Sequence, residues 1–306
     1  GIPKPRCLPA LLSGAKAVRR HTAAVEKQGQ ELLASLRPDD KVLVLITRNY
    51  GLSDPVLNMG IPRLLLERGH KVITLSHLPA HHLELSEDYP NLYWPFGQHI
   101  LSGAKLVAHH PNLYAVYLTN HGCGPDTMLS YLFRKEMGDK PYLQIEVDEH
   151  FSPVGVITRI EAFLQSLEGR PAQPLPAGFS LTSVVHRPTA VAAVPERTGG
   201  PLLVPDLPPF TAYLRAYCEA AWETETRTLR LDSTTLPLGR AETSSKEYLP
   251  FPALLGGVLT AAEAESGPFQ VLLPSTQGAE ADGQYPWGVE TVLERQGLCR
   301  VKVIAP

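Results

Sequence analysis

Residues 41–47 read KVLVLIT. Val42 to Ile46 are apolar without interruption, and no polar residue alternates between them. A strand of that kind has both faces covered, which marks a central strand of a parallel sheet. Working outward, residues 10–36 read as a helix, with Leu11, Leu12, Ala15, Val18, Ala23, Val25, Leu32 and Leu33 at helical spacing. RPDD (37–40) ends it. Downstream, GIPRLLLERGH (60–70) is helical and ends on a glycine suited to a C′ position. KVITLS (71–76) is a second strand, and YWPFGQHILSGAKLVAHHP holds a helix. LYAVYLTN (113–120) is a third strand, DTMLSYLFRKEMG a helix, YLQIEVD (142–148) a fourth strand and GVITRIEAFLQSLEG a closing helix. Strand and helix alternate throughout, so the expected fold class is α/β, with an open, mainly parallel sheet flanked by helices.

The second half repeats the pattern more weakly. PLLVPDL is a strand, 209–223 a helix, TRTLRLD a strand, and 246–263 is helical after Pro252. FQVLLPS (269–275) is a strand, WGVETVLERQG a helix and CRVKVIAP a strand. The expected domains are therefore 1–170 and 201–306. They are joined by a Pro-rich linker, 171–200, in which the short apolar piece LTSVVH (181–186) reads as a strand. Ending on a strand with no covering helix reads either as an edge strand or as a fragment of a longer protein. The fragment reading is favoured.

The 306 residues carry a formal charge of −3, so a basic surface for nucleic acid is not expected. No apolar run reaches the roughly 18 residues of a membrane span, and the first twenty residues lack the order of a signal peptide. A cytoplasmic protein is expected. The four cysteines, Cys7, Cys123, Cys218 and Cys299, are scattered without a CxxC pair. Cys218, in a helical pattern, and Cys299, opening the last strand, read as small buried hydrophobes.

In an open parallel sheet, ligands bind beyond the carboxyl ends of the strands. Arg48, Asn49 and Tyr50 follow the first strand, Ser76 and His77 the second, and His121-Gly-Cys-Gly-Pro-Asp126 the third. Asp148, Glu149 and His150 follow the fourth. Gly122 and Gly124 permit a sharp turn and leave room for something to approach. Pro125 suits the first turn of a helix, and Cys123 then sits at its N-terminus, where backbone N–H groups favour a thiolate. If the third and fourth strands are neighbours, Asp148, Glu149 and His150 come near Cys123. Such a set can bind zinc or iron, or form a Cys–His nucleophile pair. The pairs His81/His82 and His109/His110 read as surface residues whose members point apart on a helix. No P-loop and no GxGxxG is present.

The segments DPVLNMGIPRLLLERGHKVITLSHLP, YWPFGQ, PNLYAVYLTNHGCGPDTM, KPYLQIEVDEH and GVITRIEAF resemble the 2-hydroxyacyl-CoA dehydratase component proteins in the form fused to their ATP-dependent activases. The double-cubane iron–sulfur reductases are included in that resemblance. It is close over about 40–165 and looser over 201–306. It implies two flavodoxin-like domains around a [4Fe–4S]-type or double-cubane cluster, with a fused or separate activase delivering a low-potential electron. It assigns Cys123 to the cluster. It also matches Asp148, Glu149 and His150 to a DEH motif and Thr158, Arg159 and Glu161 to TRxEAF.

Two further cysteines that the family carries are replaced. Tyr248 in SSKEYLP and Glu280 in GAEADGQY stand at their places, while Gln284 and Tyr285 are retained. A cubane takes four ligands, mostly thiolates. The expectation is a cysteine-depleted member that acts as a docking or structural domain. The alternatives are an active iron–sulfur component with unusual ligands and a module binding an acyl-CoA at a helix N-terminus. The assembly state, a dimer among the options, is left open.

Overall fold

The computed structural model describes residues 4–86, 88–89, 91–120, 122–148, 152–170, 194–195, 200–244, 247–273, 275 and 281–306. Its first half runs α1 (Lys4–Ala34), β1 (Val42–Ile46), α2 (Asn49–Ser53), α3 (Ile61–Glu67), β2 (Lys71–Thr74), and two 3-10 turns, Leu75–His77 and Ala80–His82. It continues with α4 (Pro95–His109), β3 (Leu113–Asn120), α5 (Gly124–Met137), β4 (Leu143–Val147) and α6 (Pro153–Leu167). The second half runs β5 (Leu202–Pro205), α7 (Thr211–Trp222), β6 (Thr226–Leu229), α8 (Leu236–Ala241), α9 (Pro250–Ala264) and β7 (Phe269–Leu272). A 3-10 turn Ala281–Gln284, α10 (Tyr285–Arg295) and β8 (Val301–Ile304) complete it.

The two sheets share one design. Each has four parallel strands, ordered β2-β1-β3-β4 and β6-β5-β7-β8, so the earliest strand of each lies inside and order reverses beside it. In the first, Leu43 pairs with Val72 on one side and Tyr114 on the other. Every residue of β1 is buried, as an uninterrupted apolar strand between two neighbours demands. This is the α/β architecture of two flavodoxin-like domains. Among the described residues, no helix is long and apolar enough to cross a membrane.

The chain divides into two compact units that do not follow its halves. The first comprises 1–84, 102–118 and 137–185, and the second comprises 85–101, 119–136 and 186–306. In the first, Leu43, Leu45, Val116 and Ile145 from the sheet meet Ile61, Leu65, Ile160 and Phe163 from α3 and α6. In the second, Leu202, Val204, Leu272 and Ile304 enclose Cys218 of α7.

Several boundaries differ from expectation for local reasons. α1 begins at Lys4, before the expected residue 10, and takes Pro9 inside it. Pro9 lies on an exposed turn, where the carbonyl deprived of its partner can face water. α8 has no counterpart among the helices expected from the sequence. Its six residues, LPLGRA, have no apolar period, and it forms where Gly239 lets it lie directly on α9. Cys299 is not a buried strand residue: it is exposed in the turn that Val301 closes by donating to the Leu298 carbonyl, 3.0 Å. Among the described strands, β8 stands at one end of its sheet. Strand 181–186 and most of the expected linker lie outside the described residues.

Candidate functional site

The third-strand loop belongs to the second unit. Gly122 has φ +66°, in the left-handed region that glycine enters without cost, and it turns the chain sharply after β3. The Cys123 N–H donates to the Asn120 carbonyl (3.3 Å), and its own carbonyl accepts from the Thr127 N–H (3.0 Å) and hydroxyl (2.8 Å). Cys123 is therefore the residue that caps α5, and it is half-buried. Asp126, only 2% exposed, places a carboxylate in the first turn and accepts the Asn120 N–H at 2.9 Å. That anion already complements the positive end of the helix.

What approaches Gly124 is Tyr248. A Cβ on Gly124 would lie 2.7 Å from Tyr248 Cε2 and 3.0 Å from its hydroxyl oxygen. The phenol at the place where the resemblance expects a cysteine thus packs against the residue next to Cys123. Tyr248 is itself 51% exposed. Its neighbour Glu247 accepts from the Tyr131 hydroxyl (2.8 Å) and from the N–H and hydroxyl of Ser244 (both 2.9 Å). Burial first, and then the Glu247 charge, pushes the Tyr131 phenol well above its ordinary value.

Gln284 and Tyr285, which the resemblance singles out, are interior supports. Gln284 is 1% exposed and donates its amide to the Asn91 carbonyl, and the Tyr285 ring lies 5.4 Å from that of Phe251. Among the first-unit candidates, Asn49 and Tyr50 open the short helix α2, and Tyr50 is exposed. Asp148 follows β4 half-buried. Arg159, exposed on α6, donates to the Gln144 carbonyl at 2.8 Å. Glu149, His150 and Glu280 lie outside the described residues.

A cubane does not fit the donors described around Cys123. Cys218 is enclosed in its apolar core, Cys299 is exposed in a turn, and Tyr248 brings an exposed phenol. Among the described residues, no group of three potential ligands includes Cys123.

Two histidine readings are corrected. His109 is exposed, but His110 is 4% exposed, and its Nδ1 accepts the Asn112 N–H at 3.2 Å. His81 and His82 do not point apart: a 3-10 turn carries them, and both rings face Glu26 of α1. No periodic signal marks either arrangement, because one depends on a residue 55 or 56 positions away (Glu26) and the other on the folded loop around Asn112.

The Tyr248 packing has a measurable consequence. Gly124→Ala is expected to change stability by no more than about 1 kcal/mol, because the clash falls on an exposed side chain that can swing away. A urea titration followed by tryptophan fluorescence checks this. A larger loss would mean that Tyr248 is held in place.

Residues 1–78 match the family model described as the CoA enzyme activase uncharacterised domain, a span that takes in α1, β1, α2, α3 and β2. No curated protein and no solved structure matches significantly. Over those residues the chain is similar to that domain of the CoA enzyme activases.

Proposed function

We propose that this chain is a docking or structural domain of an activase-related protein, descended from an iron–sulfur-dependent reductase or dehydratase component and lacking a complete cluster. The observation that carries the reading is Tyr248, packed against Gly124 at the place where the resemblance calls for a cysteine. A phenol is a poor ligand for an iron–sulfur cluster, and a lone thiolate cannot hold a cubane. The α/β frame and the capped position of Cys123 persist around the altered ligand set, which supports retention of the surface for partners rather than for electron transfer. An ATP-dependent activase, fused or separate, is the partner this reading implies. The acyl-CoA reading draws little from the N-terminus of α5, since Asp126 already places a carboxylate there.

Iron and acid-labile sulfide measured after anaerobic purification and reconstitution test the proposal. Well under one iron per chain is expected. About four irons with matching sulfide would overturn it and favour an active component with unusual ligands. Tyr248→Cys combined with Glu280→Cys is expected to raise both contents.

A further inference from the structure

Glu26, His81 and His82 form a cluster in the first unit that the reading above does not use. His81 Nδ1 stands 2.9 Å from Glu26 Oε1, and His82 Nε2 stands 3.3 Å from Glu26 Oε2. The imidazole centroids are 4.1 Å apart, with the rings tilted by 36°. One donor atom from each of the three residues lies within 4.8 Å of the others. Adjacent histidines converge because they use different nitrogens, the near Nδ1 of His81 and the far Nε2 of His82.

The backbone fixes this approach. Gly29 lies three residues beyond Glu26 on the same face of α1, and the His77 carbonyl oxygen comes within 2.0 Å of where its Cβ would be. α1 is thereby seated on the Leu75–His77 turn, with Glu26 beside the turn that follows.

The second observation is the state of Glu26 itself. It is only 8% exposed, and its Oε1 is buried with no hydrogen bond although His81 Nδ1 stands 2.9 Å away. A buried carboxylate oxygen without a hydrogen bond is costly, and a cation in front of it removes that cost. Two imidazole nitrogens and one carboxylate oxygen are the ligand set of a three-residue zinc site. Bonds of about 2.0–2.2 Å at tetrahedral angles place ligand atoms about 3.3–3.5 Å apart, and the three donor atoms here lie within 4.8 Å of one another, a spacing that a small side-chain adjustment closes. Nitrogen donors select against magnesium and calcium, which take oxygen.

We infer that Glu26, His81 and His82 bind a divalent transition ion, zinc foremost, with water completing the shell on the solvent side. The ion clamps α1 to the loop after β2. A plain ion pair between Glu26 and protonated histidines is the competing account.

Zinc chloride titrated into the untagged full chain against a chromophoric chelator, with cobalt(II) spectra in parallel, decides between them. One zinc per chain is expected, together with a four-coordinate cobalt spectrum and no competition from magnesium. Glu26→Gln and His82→Ala should each weaken zinc at least tenfold, while Cys299→Ala should leave it unchanged. Zinc should raise the thermal midpoint of the parent chain but not that of the variants. If Glu26→Gln does not fold, the His81→Ala/His82→Ala pair, at exposed positions, carries the test. Absence of zinc binding, or binding that the substitutions leave intact, overturns the inference.

Discussion

Gly239→Ala is expected to destabilise the second unit by about 3 kcal/mol, at the upper end for an overpacked site. A Cβ there would lie 1.9 Å from the Pro252 carbonyl oxygen and 2.7 Å from the Gly256 nitrogen. Both are backbone atoms of α9, so no rotamer change relieves the clash. Gly256 repeats the arrangement from the other side, its own Cβ falling 2.2 Å from the Thr235 carbonyl oxygen. α8 and α9 therefore meet backbone to backbone, and a single methyl must push a helix. α9 cannot yield cheaply, since most of it, Phe251 to Leu259 included, is buried except for the half-buried Ala253. All three tryptophans, Trp94, Trp222 and Trp287, belong to this unit, so the urea midpoint of tryptophan fluorescence reads it directly. A midpoint like that of the parent would show that the two helices separate freely. The comparison with Gly124→Ala is the control: both glycines face nominal clashes, but only one faces backbone.

The second large effect is a loss of first-unit stability on acidification, traced to His110. Burial, and next the charge of Lys140, depresses the His110 imidazole from 6.5 to about 4. Lys140 is held in place by donating to the Val107 carbonyl (2.7 Å) and to the carbonyl of His110 itself. The sign follows from proton binding. Above about pH 6.5, neither the folded nor the unfolded state protonates this ring, and the stability it permits is complete. As pH falls, the unfolded chain takes the proton first, so stability declines until the folded ring also titrates near pH 4. A shift of that size corresponds to about 3 kcal/mol lost across the interval. His110→Asn keeps an acceptor toward the Asn112 N–H and removes the titration. Its loss of stability between pH 6.5 and 4 should be smaller than the parent's by about the same amount. Hydrogen exchange at β1 and β3 amides, compared at the two pH values, measures it. An equal decline in both proteins would refute the assignment.

The cluster at Glu26 and the loop at Asn112 show why such features escape a linear reading. Asn112 Nδ2 faces the carbonyls of Arg37, Pro38 and Asp40 at 3.1, 3.0 and 2.7 Å, which closes the loop after α1 onto the start of β3. Nothing in the string AHHPNL sets that asparagine apart from a turn residue. His110, 4% exposed, lies two residues before the asparagine that makes this closure and accepts its N–H. The same holds for Gly29, whose need to be glycine arises from a carbonyl 48 positions later, that of His77.

What the chain encodes locally is its strands and most of its helices. Uninterrupted apolar runs such as VLVLI and LYAVYL can be satisfied only between layers, and glycines and prolines mark where those runs stop. The parallel α/β class follows from that alternation, and so does the turn at Gly122, because both are governed by interactions within a few residues. Which side chains meet was decided only by the tertiary structure. Tyr248 against Gly124, α8 against α9, and two histidines against one glutamate join residues dozens of positions or more apart or depend on backbone approach distances. Backbone periodicity is blind to both, because packing between elements depends on where surfaces meet and not on the order in which they were made.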